Sequence, residues 1–293
     1  MITNADISKY QYEVIREILK KSGFDILSPY KKVLETKKQC YPREIRITEK
    51  EAEINLQNLL HYTVERMFKS FDIKTIANID KDELILISKW GCGGASGQSK
   101  FKQKFLDNSI NASDACIMAS MVPIQLVSND NITKKFWQNS RPSSPRLCRP
   151  IQFEFAKETP ELIKETVQHI EEKILNLYET IVNISGRTFK VKHNMLCTMI
   201  DGKTAQSLTD TKSSSTCYIC KATHREMNDL NRIYQKSYDD NALKLGLSSL
   251  HTRIKFMECI LHVAYNLSFK KWSATKEIKL EKEENKKNFN LEL

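Results

Sequence analysis

The sequence predicts an α/β protein built around a mixed sheet, and three observations carry the prediction. Apolar residues alternate or run over short spans at Glu83 to Trp90, Ile117 to Val127 and Ile151 to Phe155, as strands require. A helix start follows at Thr159-Pro160, and a Ser185-Gly186 turn then joins two further apolar stretches as a hairpin. Strands, a helix and more strands bury a sheet against helices; they do not make a bundle.

Taken in order, the chain opens with helical spacing. Val14, Ile15, Ile18 and Leu19, and again Leu56, Leu59, Leu60, Val64 and Met67, place apolar residues on one face, so residues 8 to 70 read as helical with a break at Cys40-Tyr41-Pro42. The first strand runs into Gly91, Gly93, Gly94 and Gly97, a cluster that a tight turn or a phosphate cradle would explain equally. Thr159 is placed to cap a helix with Pro160 in its first turn, and Ile163, Val167, Ile170, Ile174 and Leu177 form its buried stripe. Ile181 to Ile184 and Thr188 to Ile200 are the hairpin strands. After Asp201 the chain is polar and serine-rich through Ser215, and a mainly helical region begins at Cys217. The last stretch, from Lys271, holds six Lys and five Glu and reads as a solvated tail. The expected organisation is an N-terminal helical region (1–75), the sheet domain (76–205), a C-terminal helical region (206–270) and a polar tail (271–293).

Composition narrows the class. At 293 residues, with 40% apolar and 28% charged, the chain is large enough for a real core and ordinary for a soluble protein. Its longest apolar stretch, Ala115 to Val127, is broken by Ser120, Pro123 and Gln125, so no membrane partner is expected. The opening residues carry neither a signal peptide nor a transit pattern, which points to cytosol or nucleus and to cysteines that are reduced or metal-bound. The net charge of +10 is concentrated. Residues 84–106 hold Lys89, Lys100, Lys102 and Lys104 with no carboxylate; residues 131–153 hold Lys134, Lys135, Arg141, Arg146 and Arg149, again with none. With Phe101, Phe105, Phe136 and Trp137 among them, these windows suit a surface that neutralises phosphates and stacks on bases; a lysine-rich solvated surface is the alternative.

No P-loop, nucleophile elbow or HExxH pair is present. Cys217-Tyr-Ile-Cys220 has the spacing at which two thiolates share a tetrahedral zinc. His251, Cys259 and His262 fall in one arc of a long apolar helix and are candidates for the remaining ligands, as is His224. Metal-dependent phosphodiester chemistry needs two or three converging carboxylates, and only Asp201, at the expected end of the last hairpin strand, is suitably placed.

As a set, Lys89-Trp90-Gly91-Cys92, Gly94-Ala95-Ser96-Gly97-Gln98-Ser99 with Lys102-Gln103-Lys104-Phe105, the Arg141-Pro-Ser-Ser-Pro-Arg-Leu-Cys-Arg-Pro150 loop, and Met199-Ile-Asp201-Gly202-Lys203 through Cys217-Tyr-Ile-Cys220 resemble the Transib transposases. They equally resemble the catalytic core of the V(D)J recombination-activating protein. The opening, Ser8 to Tyr12 and on to Cys40-Tyr-Pro42, is similar to the helical region that precedes the nuclease fold in that family. The resemblance runs in order from about residue 8 to about residue 272.

The resemblance implies an RNase H-like fold of the DDE transposase type, duplex DNA as partner, a pair of Mg2+ or Mn2+ ions, a zinc-binding insertion and a nuclear location. It assigns Asp201 as the second catalytic Asp and Cys217 and Cys220 as the paired zinc cysteines. The first catalytic Asp should follow Cys92, where this sequence has Gly93. The family's Glu and later His pair lie downstream of anything in this sequence. The expectation is therefore a DNA-binding, catalytically inactive relative. Two other readings stand beside it: a fragment of an active DDE enzyme that nicks and joins DNA, and a zinc-stabilised interaction protein that dimerises through its N-terminal helices and binds no DNA.

Overall fold

A computed structural model describes residues 7–39, 41–96, 115–213, 215–223, 225–226, 229–246, 249–266, 279–281 and 283–284. Two helices come first, α1 (Lys9–Lys21) and α2 (Tyr30–Gln39). Ser8 and Gln11 form a reciprocal capping box at the start of α1, which satisfies two amides that the first turn would leave unpaired. The chain then forms a short hairpin, β1 (Ile45–Ile47) and β2 (Glu51–Ile54), before α3 (Leu56–Lys69), capped by Asn55, and α4 (Ile73–Asn78). The expectation of a helical region over residues 8–70, broken at 40–42, is corrected at β1 and β2. Three- and four-residue strands are too short to show a period, and Glu51-Ala-Glu-Ile54 reads as helix by composition.

The sheet follows: β3 (Glu83–Ala95), β4 (Cys116–Ser128), β5 (Lys135–Gln138), β6 (Arg149–Glu154), the helix α5 (Pro160–Leu175), β7 (Thr180–Ile184) and β8 (Arg187–Cys197). Its order is β1-β2-β6-β4-β3-β8-β7, with β5 paired to β4. All neighbours are antiparallel except β3 and β8, which run parallel with Trp90 opposite Cys197. This is the mixed sheet that the sequence predicts. Pro123, inside β4, is tolerated because it pairs with Ser88 at a bulge, where a missing amide breaks no regular ladder. The β7–β8 turn is the expected one: Ser185 (φ 51°) and Gly186 (φ 74°) both take the left-handed conformation that a two-residue hairpin demands.

Strand β2 bonds to β6, so residues ahead of position 75 extend the sheet. Helices α3 and α5 lie over one face, burying Leu60, Val64, Phe68, Ile163 and Ile170 against Leu84, Leu86, Trp90, Met121 and Phe189. Phe136 and Trp137, read from the sequence as stacking groups, are instead half-buried and pack against this core.

Beyond β8 come α6 (Gly202–Leu208), α7 (Leu230–Tyr234), α8 (Asp240–Lys244) and α9 (Ser249–Asn266). Among the described residues no helix is long and apolar enough to cross a membrane.

Candidate functional site

The parallel pair β3 and β8 creates the site by ending together. Thr198 and Met199 both donate their amides to the Trp90 carbonyl, at 3.1 and 2.9 Å, which draws the chain leaving β8 across the end of β3. Gly91 makes that crossing feasible: a Cβ there would lie 2.0 Å from the Met199 carbonyl oxygen. Two residues on, Asp201 caps α6, its Oδ1 accepting the Thr204 amide at 2.7 Å. The sequence reading carried the strand to Ile200 and the loop beyond Asp201; the strand ends at Cys197, and Asp201 begins a helix. A seven-residue helix, Gly-Lys-Thr-Ala-Gln-Ser-Leu, is too short and too polar to show an apolar stripe.

A second carboxylate, which the sequence reading missed, stands at the same end. Glu158, just before the Thr159 cap of α5, lies against Gly94, where a Cβ would come within 2.5 Å of its Oε2. Oε2 accepts from Lys203 Nζ at 2.8 Å, while Oε1 is buried without a hydrogen-bond partner. Glu158 and Asp201 both act on Cys92 between them: burial first, and then the two negative charges, push its thiol up to about 11. Burial, with Cys92 and Glu171 nearby, pushes the Cys197 thiol up to about 12. Both cysteines are protonated at neutral pH and serve as packing groups, not ligands or nucleophiles. Nothing in its local sequence marks Glu158, and its meeting with Gly94 is a tertiary contact that no spacing in the chain signals.

Gly93 shares a face of β3 with Gly91, and a Cβ added there would meet nothing within 4 Å, so the fold has room for a side chain at this position. As it stands, the end of β3 offers Asp201, engaged as a helix cap, and Glu158, half neutralised by Lys203. Among the described residues no three His, Cys, Asp or Glu side chains converge. A divalent pair needs bridging carboxylate charge, and this donor set does not fit one.

The Cys217–Cys220 segment fits half a zinc site. Cys217 N donates to Ala222 O at 2.8 Å, Lys221 N donates to Cys217 O at 2.9 Å, and Thr216 bridges Thr223, closing a tight knuckle with Lys221 in the left-handed region (φ 55°). Burial raises the Cys217 thiol, but the amides of Cys220 and Ile219 point at its sulfur and bring it below its ordinary value. Amide donors aimed at a sulfur favour the thiolate form that a metal binds. Cys259 is exposed on α9. His224 and the side chains of His251 and His262 lie outside the described residues.

The described basic residues are spread along the sheet and the loop into β6. Lys134 and Lys135 are exposed at the far end of the sheet, where Lys135 pairs with Val127 and Lys134 is bound to Asp80 at 2.5 Å. Eight residues along and two strands across, Lys135 sits about 28 Å from Gly93. Arg141 and Arg146 are exposed on the loop into β6, and Arg149 is half-buried at its start. Lys100, Lys102 and Lys104, with Phe101 and Phe105, lie outside the described residues.

Residues 86–216 match the family model described as the Recombination-activation protein 1 (RAG1) RNase H domain. The matched stretch opens in β3, spans the sheet and α5, and closes just before Cys217. No curated protein matches the chain.

Proposed function

We propose that this chain, whose residues 86–216 match the RAG1 RNase H domain model, is a DNA-binding member of the RAG1/Transib-like catalytic-core family without strand-cleaving activity. The observation that carries the second half is Gly93. The resemblance expects the first catalytic Asp there, and without it the end of β3 presents, among the described residues, Asp201 and Glu158, each engaged by a group of the protein itself. Two like cations a few Å apart repel strongly, and two part-neutralised carboxylates do not offset that.

Duplex DNA is the partner this reading requires, bound through the loop carrying Arg141 and Arg146 and through the basic window at Lys100, Lys102 and Lys104; the nucleus is the corresponding compartment. Cys217 and Cys220 hold a structural zinc in this reading, completed by ligands from the region of His251, Cys259 and His262. Zinc content should fall when Cys217→Ser is compared with the native chain.

The test is binding to a random-sequence duplex over a range of salt, beside a nicking assay in Mg2+ and Mn2+. The expected result is affinity that falls with salt at a slope of about 0.9 per phosphate neutralised, with no nicking. Nicking abolished by Asp201→Ala would overturn the inactive reading in favour of an active DDE enzyme. One observation favours that second reading: the unpartnered Oε1 of Glu158 beside Asp201 is an acceptor without a donor, as a metal ligand would be. No salt-dependent affinity at all would favour the interaction-protein reading.

A further inference from the structure

Among the described residues, the arginine at the start of β6 makes no ion pair with a carboxylate. Arg149 sits where β2 has stopped pairing, opposite Met121 of the buried core and close to Tyr62 and Arg66 of α3. Its Nε is buried and has no hydrogen-bond partner. The groups that act on it are Tyr62 and Arg66 of α3 and its neighbour Cys148; none is a carboxylate, and burial together with the Arg66 charge pulls its guanidinium below the ordinary value. Arg66 in turn lies over the Tyr62 ring, 5.4 Å from the centroid. A part-buried guanidinium with an unpartnered Nε and no carboxylate among the groups that act on it is unfavourable for the empty protein and favourable for an anion, because five fork-shaped donors match oxyanion geometry.

We propose that Arg149 and Arg66, walled by Tyr62, form a seat for a backbone phosphate of duplex DNA. The route in is basic: the loop from Arg141 to Cys148 is anchored by Asn139, which donates to the Pro123 carbonyl at 3.0 Å and accepts the Arg141 amide at 2.9 Å, and it exposes Arg141 and Arg146. The position suits a duplex that also reaches the end of β3. Arg149 pairs with Met121 and Met121 with Trp90, three residues from Gly93 and two strands across. That is about 14 Å, roughly four base-pair steps. The seat lies on the opposite side of Trp90 from Asp201, so it positions DNA and takes no part in chemistry.

This inference rests on the DNA-binding reading, and two readouts separate their failures. The first is thermal stability of the whole chain in inorganic phosphate against chloride at matched ionic strength, for the native chain, Arg149→Met and Arg66→Met. Methionine keeps most of the buried volume and removes the charge, so Arg149→Met is expected to fold and to melt no lower than the native chain in chloride. Phosphate should stabilise the native chain and neither variant. The second is the salt slope of duplex binding, which should fall by about 0.9 in Arg149→Met and by no more in the double variant. Variants that respond to phosphate and to duplex as the native chain does would overturn the seat. If the native chain binds no duplex, the DNA reading fails, and a phosphate response lost in Arg149→Met then still supports an oxyanion seat while its absence overturns that too.

Discussion

Two glutamates with little exposure, Glu53 and Glu158, are treated in opposite ways by the same fold. Glu53, on β2, receives Lys173 and His169 from α5 and Arg46 from β1. Burial pushes its carboxyl up, but those donors outweigh burial and hold it at about 2. Glu158 receives Lys203 on one oxygen and nothing on the other. The first is a joint, tying the N-terminal hairpin to α5, and every lone pair that matters there is used. The second faces the end of β3, where glycines replace side chains and a polar group is left unsatisfied. Complete pairing marks what holds the fold together; incomplete pairing marks where a ligand would complete it.

The largest test of this contrast is at Gly91, whose missing Cβ lets Met199 cross β3. Gly91→Ala forces backbone against side chain and should cost about 3 kcal/mol or more by denaturant unfolding. A neutral result would mean that the crossing does not define the site. Glu53→Ala comes next, with a loss of about 2–3 kcal/mol, less than the full cost of breaking a buried pair because its partners reach solvent.

A pH response should follow from His193 of β8. Burial, and then the nearby His61, hold its imidazole down at about 4, against 6.5 in an unfolded chain. Between those values the unfolded chain binds the extra proton, so stability conferred above pH 6.5 is lost as pH falls toward 4. The loss should be about 2 kcal/mol after allowing for partial exposure, and His193→Phe should flatten the melting temperature over that window. Glu53 adds its own loss only below about pH 4.5, as its carboxyl approaches its folded value of about 2.

The smallest effect is predicted at Glu158. Glu158→Gln removes a desolvated charge whose partner, Lys203, is exposed, and should change stability by no more than about 0.5 kcal/mol in either direction. A large loss would make Glu158 a second joint and erase the contrast. The complementary variant is Gly93→Asp: it should gain a melting-temperature increase in Mn2+ that the native chain lacks, and no gain would mean that more than one missing carboxylate separates this site from a working one.

Much of this was legible in the primary sequence because it rests on local rules. The β7–β8 hairpin follows from Ser185-Gly186, the start of α5 from Thr159-Pro160, and the β3 and β4 strands from their apolar runs. The family resemblance, carried by short motifs in order, agrees with the match over residues 86–216. Asp201 was found because its neighbours spell a motif, although its place as a helix cap was not.

What only the tertiary structure decided depends on residues far apart in the chain. Glu158 meets Gly94 and Lys203 across 64 and 45 positions, and no period or motif encodes such a meeting. Strand β2 joins the sheet through β6, about a hundred residues away, so a segment read as helix became part of the fold's edge. Arg149 looked like every other arginine of its window until burial close to α3 set it apart from the exposed Arg141 and Arg146. Local propensity and turn chemistry are written along the chain; desolvation, pairing and the closeness of charges arise when distant segments pack, and those set what the site can do.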